Sequence, residues 1–158
     1  MTDVLTKATF RLGGPHAALT AAAVTQRLGL QPTQAFEAGT SARRSPHTRE
    51  YSLWLLSSSA QIEHNVDLSE QLRRLLAFLE PVATPLWELI GAGYEANWYC
   101  WVASHATEHA VELDRKVLQR LLALPGDLWL DVCGDEPEAW GGAEPQGTVS
   151  RSAGPRPR

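Results

Sequence analysis

The most constraining stretch of this sequence is residues 93–104, Gly-Tyr-Glu-Ala-Asn-Trp-Tyr-Cys-Trp-Val-Ala-Ser. It is rich in aromatic and β-favouring residues, bounded by glycine before it and a polar His/Thr/Glu segment after it, and it reads as a central strand. Successive side chains of a strand face opposite ways, so Tyr94 and Trp98 point to one side and Tyr99 and Trp101 to the other. A strand apolar on both sides is either covered twice or keeps one face for a partner. That choice frames the functional question.

Around this strand the pattern alternates between two periods. Residues 7–12 alternate as a strand, with Ala8, Phe10 and Leu12 inward, and Gly13-Gly14-Pro15 ends it. Leu19, Ala23, Val24 and Leu28 recur at helical spacing, and Gly29 is a helix stop. An irregular loop follows through Pro32, Gly39 and Pro46. Residues 49–57 form a second strand, with Tyr51, Leu53 and Leu55 on one face and Ser52, Trp54 and Leu56 on the other. Asp67 and Glu70 open a helix as a capping-box variant, and Leu68, Leu72, Leu75, Leu76 and Leu79 give it an apolar stripe. Pro81 and Pro85 predict a break near Glu80 and a short second helix to Ile90. Leu113, Val117, Leu118, Leu121, Leu122 and Leu124 predict a last helix, and Leu128, Leu130 and Val132 the inward face of a final strand.

This order predicts an α+β chain: a ferredoxin-like βαβ-(α)-βαβ sandwich with a four-stranded antiparallel sheet, helices on one face and an inserted helical segment. Its expected strand order is 4-1-3-2. At 158 residues and 44% hydrophobic, the chain suits one α+β domain over residues 1–134. Residues 135–158 are dominated by Gly, Pro, Ser, Glu and Arg, and are expected to be a disordered tail.

The segment Leu28-Gly29-Leu30-Gln31-Pro32-Thr33, followed by Gly39, Tyr51-Ser52-Leu53-Trp54-Leu55 and the helix ending Leu79-Glu80-Pro81, resembles the bacterial family known as domain of unknown function 4279. The resemblance covers residues 6–134. It implies no activity and transfers no catalytic residues, because the family has none defined.

The remaining signals bound the function. A net charge of −4 speaks against a general nucleic-acid binder, and Arg43-Arg44 with Arg49 is the one local basic cluster. No signal peptide is visible at the amino terminus, and no run approaches the about 20 apolar residues of a membrane span. Cys100 and Cys133 read as small hydrophobes in a reducing compartment, so the expected location is the cytoplasm. His105 and His109, four apart, could share a metal, but they lack the HExxH arrangement, and solvated histidines are the simpler reading. Ser57–Ser59 lacks a nucleophile elbow, and no glycine spacing suits a phosphate loop. No catalytic residue, metal site or cofactor is therefore assigned.

What rises above this background is the outer sheet face, where alternation collects Arg11, Trp54, Tyr99, Trp101, Trp129 and Asp131. Aromatics with an arginine match the makeup of interface hot spots. The competing expectation is that residues 82–92, through Leu86, Trp87 and Leu89, cover this face as a second core. The expected function is a non-catalytic module binding a protein partner or itself, for instance an immunity-type protein that occludes a toxin. The alternatives are a small-molecule-binding regulatory domain with the ligand on Trp54, Trp101 or Trp129, and a metal-dependent enzyme at His105 and His109.

Overall fold

The computed structural model describes residues 4–41, 46–104 and 110–134. The chain runs β1 (Val4–Gly14), α1 (Ala21–Leu28), β2 (Gln34–Phe36), β3 (Ser52–Ser57), β4 (Glu63–His64), α2 (Leu68–Leu79), α3 (Ala83–Gly91), β5 (Glu95–Ser104), α4 (Arg115–Leu122) and β6 (Asp127–Gly134). A 3-10 turn at Glu80–Val82 joins α2 to α3, with Pro81 in it, so the proline interrupts the helix where the sequence predicts.

The strands make one open sheet in the order β2-β3-β1-β5-β6, with the short β4 also paired to β1. β1 is antiparallel to both β3 and β5, whereas β5 and β6 are parallel. The class is therefore mixed α+β, with six strands rather than four and one parallel pair. In terms of the four predicted strands, the order is 2-1-3-4 instead of 4-1-3-2. The central pair is as expected, and the outer two are exchanged. Two connections explain this. β2 and β3 form an antiparallel arm, extended by the Ser41–Thr48 bridge, and β3 folds back beside β1 and fills that slot. β6 then follows α4 to the free side of β5, as a parallel βαβ unit requires.

Local chemistry sets the helix ends. Thr20, Asp67 and Asp114 each accept a backbone N–H three residues on, capping α1, α2 and α4. Gly29 closes α1 with φ 66°, a left-handed position where a side chain would be strained. The carboxylate of Glu37 reaches the same helix start, accepting from Ala21 N at 3.0 Å, Ala22 N at 2.8 Å and Ser52 Oγ at 2.9 Å. It thereby ties β2 and β3 to α1.

The buried residues form one contiguous cluster between sheet and helices. β1 contributes Ala8, Phe10 and Leu12, β5 contributes Trp98, Cys100 and Val102, and α2 contributes Leu68, Leu72, Leu75, Leu76 and Leu79. Each buried leucine contributes about 1.5–3 kcal/mol through burial, which makes α2 the main cover of the sheet. Phe10 and Trp98, directly opposite in the β1–β5 register, pack at a tilt of 58° with ring centroids 4.8 Å apart. The Trp98 indole N–H donates to Pro125 O at 3.0 Å and so holds the turn before β6.

Not every predicted core position is covered. Leu118 and Leu122 of α4 and Leu128, Leu130 and Val132 of β6 are exposed, although β6 presents the last three to the helix side. Among the described residues no helix is long and apolar enough to cross a membrane.

Candidate functional site

The side of the sheet away from the helices is built from alternate residues of β1, β3, β5 and β6. Residues directly opposite in adjacent strands share a face, so the register gives its rows. One row runs Leu55, Arg11, Asn97; the next runs Ser57, Thr9, Tyr99, Trp129; a third runs Lys7, Trp101, Asp131. These side chains are half-buried by one another, and Trp129 is 59% exposed.

At the centre lies a connected group. The Arg11 guanidinium sits over the Tyr99 ring, 3.9 Å from its centroid, a cation–π contact. The Tyr99 hydroxyl donates to Asp131 Oδ2 at 2.5 Å. The Trp129 ring meets Tyr99 edge-on at 6.2 Å. Burial draws the Arg11 pKa down, with Tyr99 and Tyr51 opposing. Burial, then the hydrogen bond to Asp131, push the Tyr99 phenol well above its ordinary value. Such a phenol keeps its proton at neutral pH, so it is a fixed hydrogen-bond donor and a poor base. Cys133, on the same face, is also raised, first by burial and then by Asp131, so its thiol is not activated.

Two polar atoms here are shielded from water without a hydrogen-bond partner, Arg11 Nε and Asn97 Oδ1, while the shielded Trp101 indole N–H faces the Cys133 thiol. The only other such side-chain atom among the described residues, Gln71 Oε1, lies in the helix layer. A shielded, unpaired polar group is costly, so this face carries a local energetic penalty that the helix layer largely avoids.

Of the six residues predicted for this face, Arg11, Tyr99, Trp101, Trp129 and Asp131 are brought together there. Trp54 is not. It stands opposite Leu12 and Ala35, is fully buried on the helix side, and donates its indole N–H to Thr25 Oγ1 at 3.0 Å. Leu53 and Leu55 take the outer positions instead. The phase of β3 is ambiguous in sequence because residues 53–56 are apolar in both alternations, and a one-residue slip exchanges the faces.

The predicted second core is absent from this face as well. Leu86 and Leu89 of α3 join the single cluster on the helix side, and Trp87 is exposed with its indole N–H donating to Ala123 O at 3.1 Å. Asn97 is absent from the residues predicted for this face, although the same alternation, two positions before Tyr99, places it there. Phe36, which carries the Arg49 guanidinium 4.1 Å from its ring centroid, was not legible, because three residues give too short a pattern for β2. Arg43, Arg44, His105 and His109 lie outside the described residues, among which no group of three or more metal-binding side chains occurs.

Two depressions of about 600 Å³ flank the helix layer. One lies between α1 and α3 around Arg27, Glu88 and Tyr94, and the other runs from Trp87 past Gly126 to Trp129. Both are open grooves rather than closed cavities.

No curated protein and no solved structure matches the chain. A family model does match, over residues 5–134, from the first residues of β1 to the end of β6 and including every strand and helix described above. The chain therefore belongs to the family described as Domain of unknown function (DUF4279).

Proposed function

We propose that this chain is a non-catalytic protein-interaction module whose contact surface is the outer sheet face around Arg11, Tyr99, Trp101, Trp129 and Asp131. The observation that carries the reading is that an exposed tryptophan, Trp129, stands edge-on to Tyr99 within a fixed Arg11–Tyr99–Asp131 group. Preorganised aromatic and arginine side chains lose little entropy on binding, which is the character of interface hot spots. The charges on the face are mixed, with Lys7 and Arg11 set against Asp131 and Glu95, and this suits a protein rather than a polyanion. An immunity-type role, occluding a basic toxin in the cytoplasm, is one form of this function consistent with the net charge of −4. A small-molecule site would call for an enclosed cavity of roughly 300 Å³ or more, and the open grooves do not favour it.

The test is native mass spectrometry of protein purified from its own host under mild conditions. A stoichiometric protein partner is expected with the wild type and with Phe78→Ser, and is expected to be lost with Trp129→Ser. Phe78 is the control because it is comparably exposed, 57% against 59%, but sits on α2 in the helix layer and lines neither groove. A partner lost equally with both variants, or a retained small molecule or metal in its place, contradicts the proposal.

A further inference from the structure

The two edges of the sheet are finished differently. One ends in β2, three residues long, while the other ends in β6, eight residues long. Natural edge strands avoid further pairing by being short, or by carrying charged side chains, lysine above all, or proline. β6 is long and has no lysine or proline; its sequence is Asp-Leu-Trp-Leu-Asp-Val-Cys-Gly, its two charges both lie on the outer face, and Leu128, Trp129, Leu130 and Val132 are 38–59% exposed. Among the described residues its only pairing is to β5, which leaves the backbone groups of its far side open. The helix that leads into it leaves Leu118 and Leu122 exposed too.

We infer that β6 pairs with β6 of a second copy of this chain, antiparallel and in a register centred on Leu130. The two-fold axis of such a joint stands perpendicular to the sheet and keeps each face on its own side, so only residues of the same face can stand opposite one another. Three central registers are then open, and charge decides among them, because like charges directly opposite are destabilising. Centring on Asp131 sets that carboxylate against its own copy. Centring on Trp129 sets Asp127 against Asp131 of the other copy, twice. Centring on Leu130 sets Leu130 against Leu130, Leu128 against Val132 and Trp129 against Asp131, with no like pair.

In that register the apolar side of β6 closes on itself, and both helix layers lie on the same side of one continuous sheet. The two outer faces join, with Trp129 of one copy beside Asp131 of the other, where Asp131 already accepts the Tyr99 hydroxyl. The inference does not rest on the proposed outer-face function, but the seam takes in Trp129 and Asp131 of that face. An eight-residue strand gives it a length of roughly 26 Å. With the exposed leucines it falls toward the small end of specific interfaces, below about 800 Å² per partner, so a reversible dimer is expected rather than a permanent one.

Sedimentation equilibrium of the full chain between about 1 and 100 µM, a range that brackets reversible interfaces of this size, is the test. A monomer–dimer equilibrium is expected. Leu130→Lys sets two ammonium groups opposite at the centre and is expected to give a folded monomer with unchanged far-UV circular dichroism. Under mild oxidation Leu130→Cys is expected to cross-link as a dimer, whereas Leu128→Cys, which faces Val132, is not. The Cys pair keeps the test valid should the lysine variant fail to fold. A monomer throughout the range overturns the inference, including one whose β6 amides resist hydrogen exchange because the chain's own remaining residues occupy the edge. So does a dimer that survives Leu130→Lys, or one that cross-links equally at both positions.

Discussion

Single residues in this chain divide into those that hold the fold and those that the proposed function assigns to a partner. Glu37 is of the first kind. Burial alone would raise its pKa, but the N–H groups of Ala22 and Ala21 and the Ser52 hydroxyl outweigh burial, and the net shift is downward. A depressed carboxylate contributes stability that is complete above its unfolded pKa, about 4.5, and is lost as pH falls through the lower folded value. Urea denaturation between about pH 6 and pH 3 is therefore expected to fall more steeply for the wild type than for Glu37→Gln. Parallel curves would show that the carboxylate does not hold α1 to β2 and β3. Tyr99 and Arg11 are of the second kind, fixed against each other on a face that no described helix covers.

At the scale of elements, helices are set by repetition and strands by phase. The leucine stripe of α2, its Asp67 cap and the break at Pro81 were legible because each rests on several residues agreeing at one period. The face of β3 was not, because Leu53, Trp54, Leu55 and Leu56 satisfy both alternations, and only pairing with Leu12 decides between them. β2 and β4, three and two residues long, carry no period to read. The turn into β6 is set by close approach. Gly126 has φ 114°, and a Cβ there would stand 3.1 Å from Trp98 Cδ1 and 3.2 Å from the Ala96 carbonyl carbon. Gly126→Ala is expected to lower stability by about 1–3 kcal/mol, combining backbone strain with displacement of Trp98. A loss below about 0.5 kcal/mol, the range of ordinary surface changes, would mean the turn is free to move.

At the scale of the molecule, strand count and order were only half legible. The aromatic content of residues 93–104 marked the third predicted strand as central, and the crossover rule set the first beside it; the two are neighbours within the sheet. Which strand lies outside each depends on the β2–β3 arm and on the α4 crossover, and those are long-range pairings that no local pattern encodes. The candidate face was legible wherever its residues sit on β1, β5 and β6, and misread at Trp54, where phase failed. Its chemistry follows from asymmetry: among the described residues, one side of the sheet is packed by four helices, and the other is finished only by its own side chains.

That asymmetry can be measured without knowing any partner. Chemical denaturation of Trp54→Phe and Trp129→Ser, beside the wild type, compares the one tryptophan moved into the core with one left on the open face. Trp54→Phe gives up a buried hydrogen bond and part of a well-packed ring, and is expected to cost about 2 kcal/mol or more. Trp129→Ser is expected to stay within about 0.5 kcal/mol at monomeric concentration, as exposed positions do. A cost for Trp129→Ser equal to that of Trp54→Phe would contradict the central claim, because the outer face would then be a second core and not a surface kept for a partner.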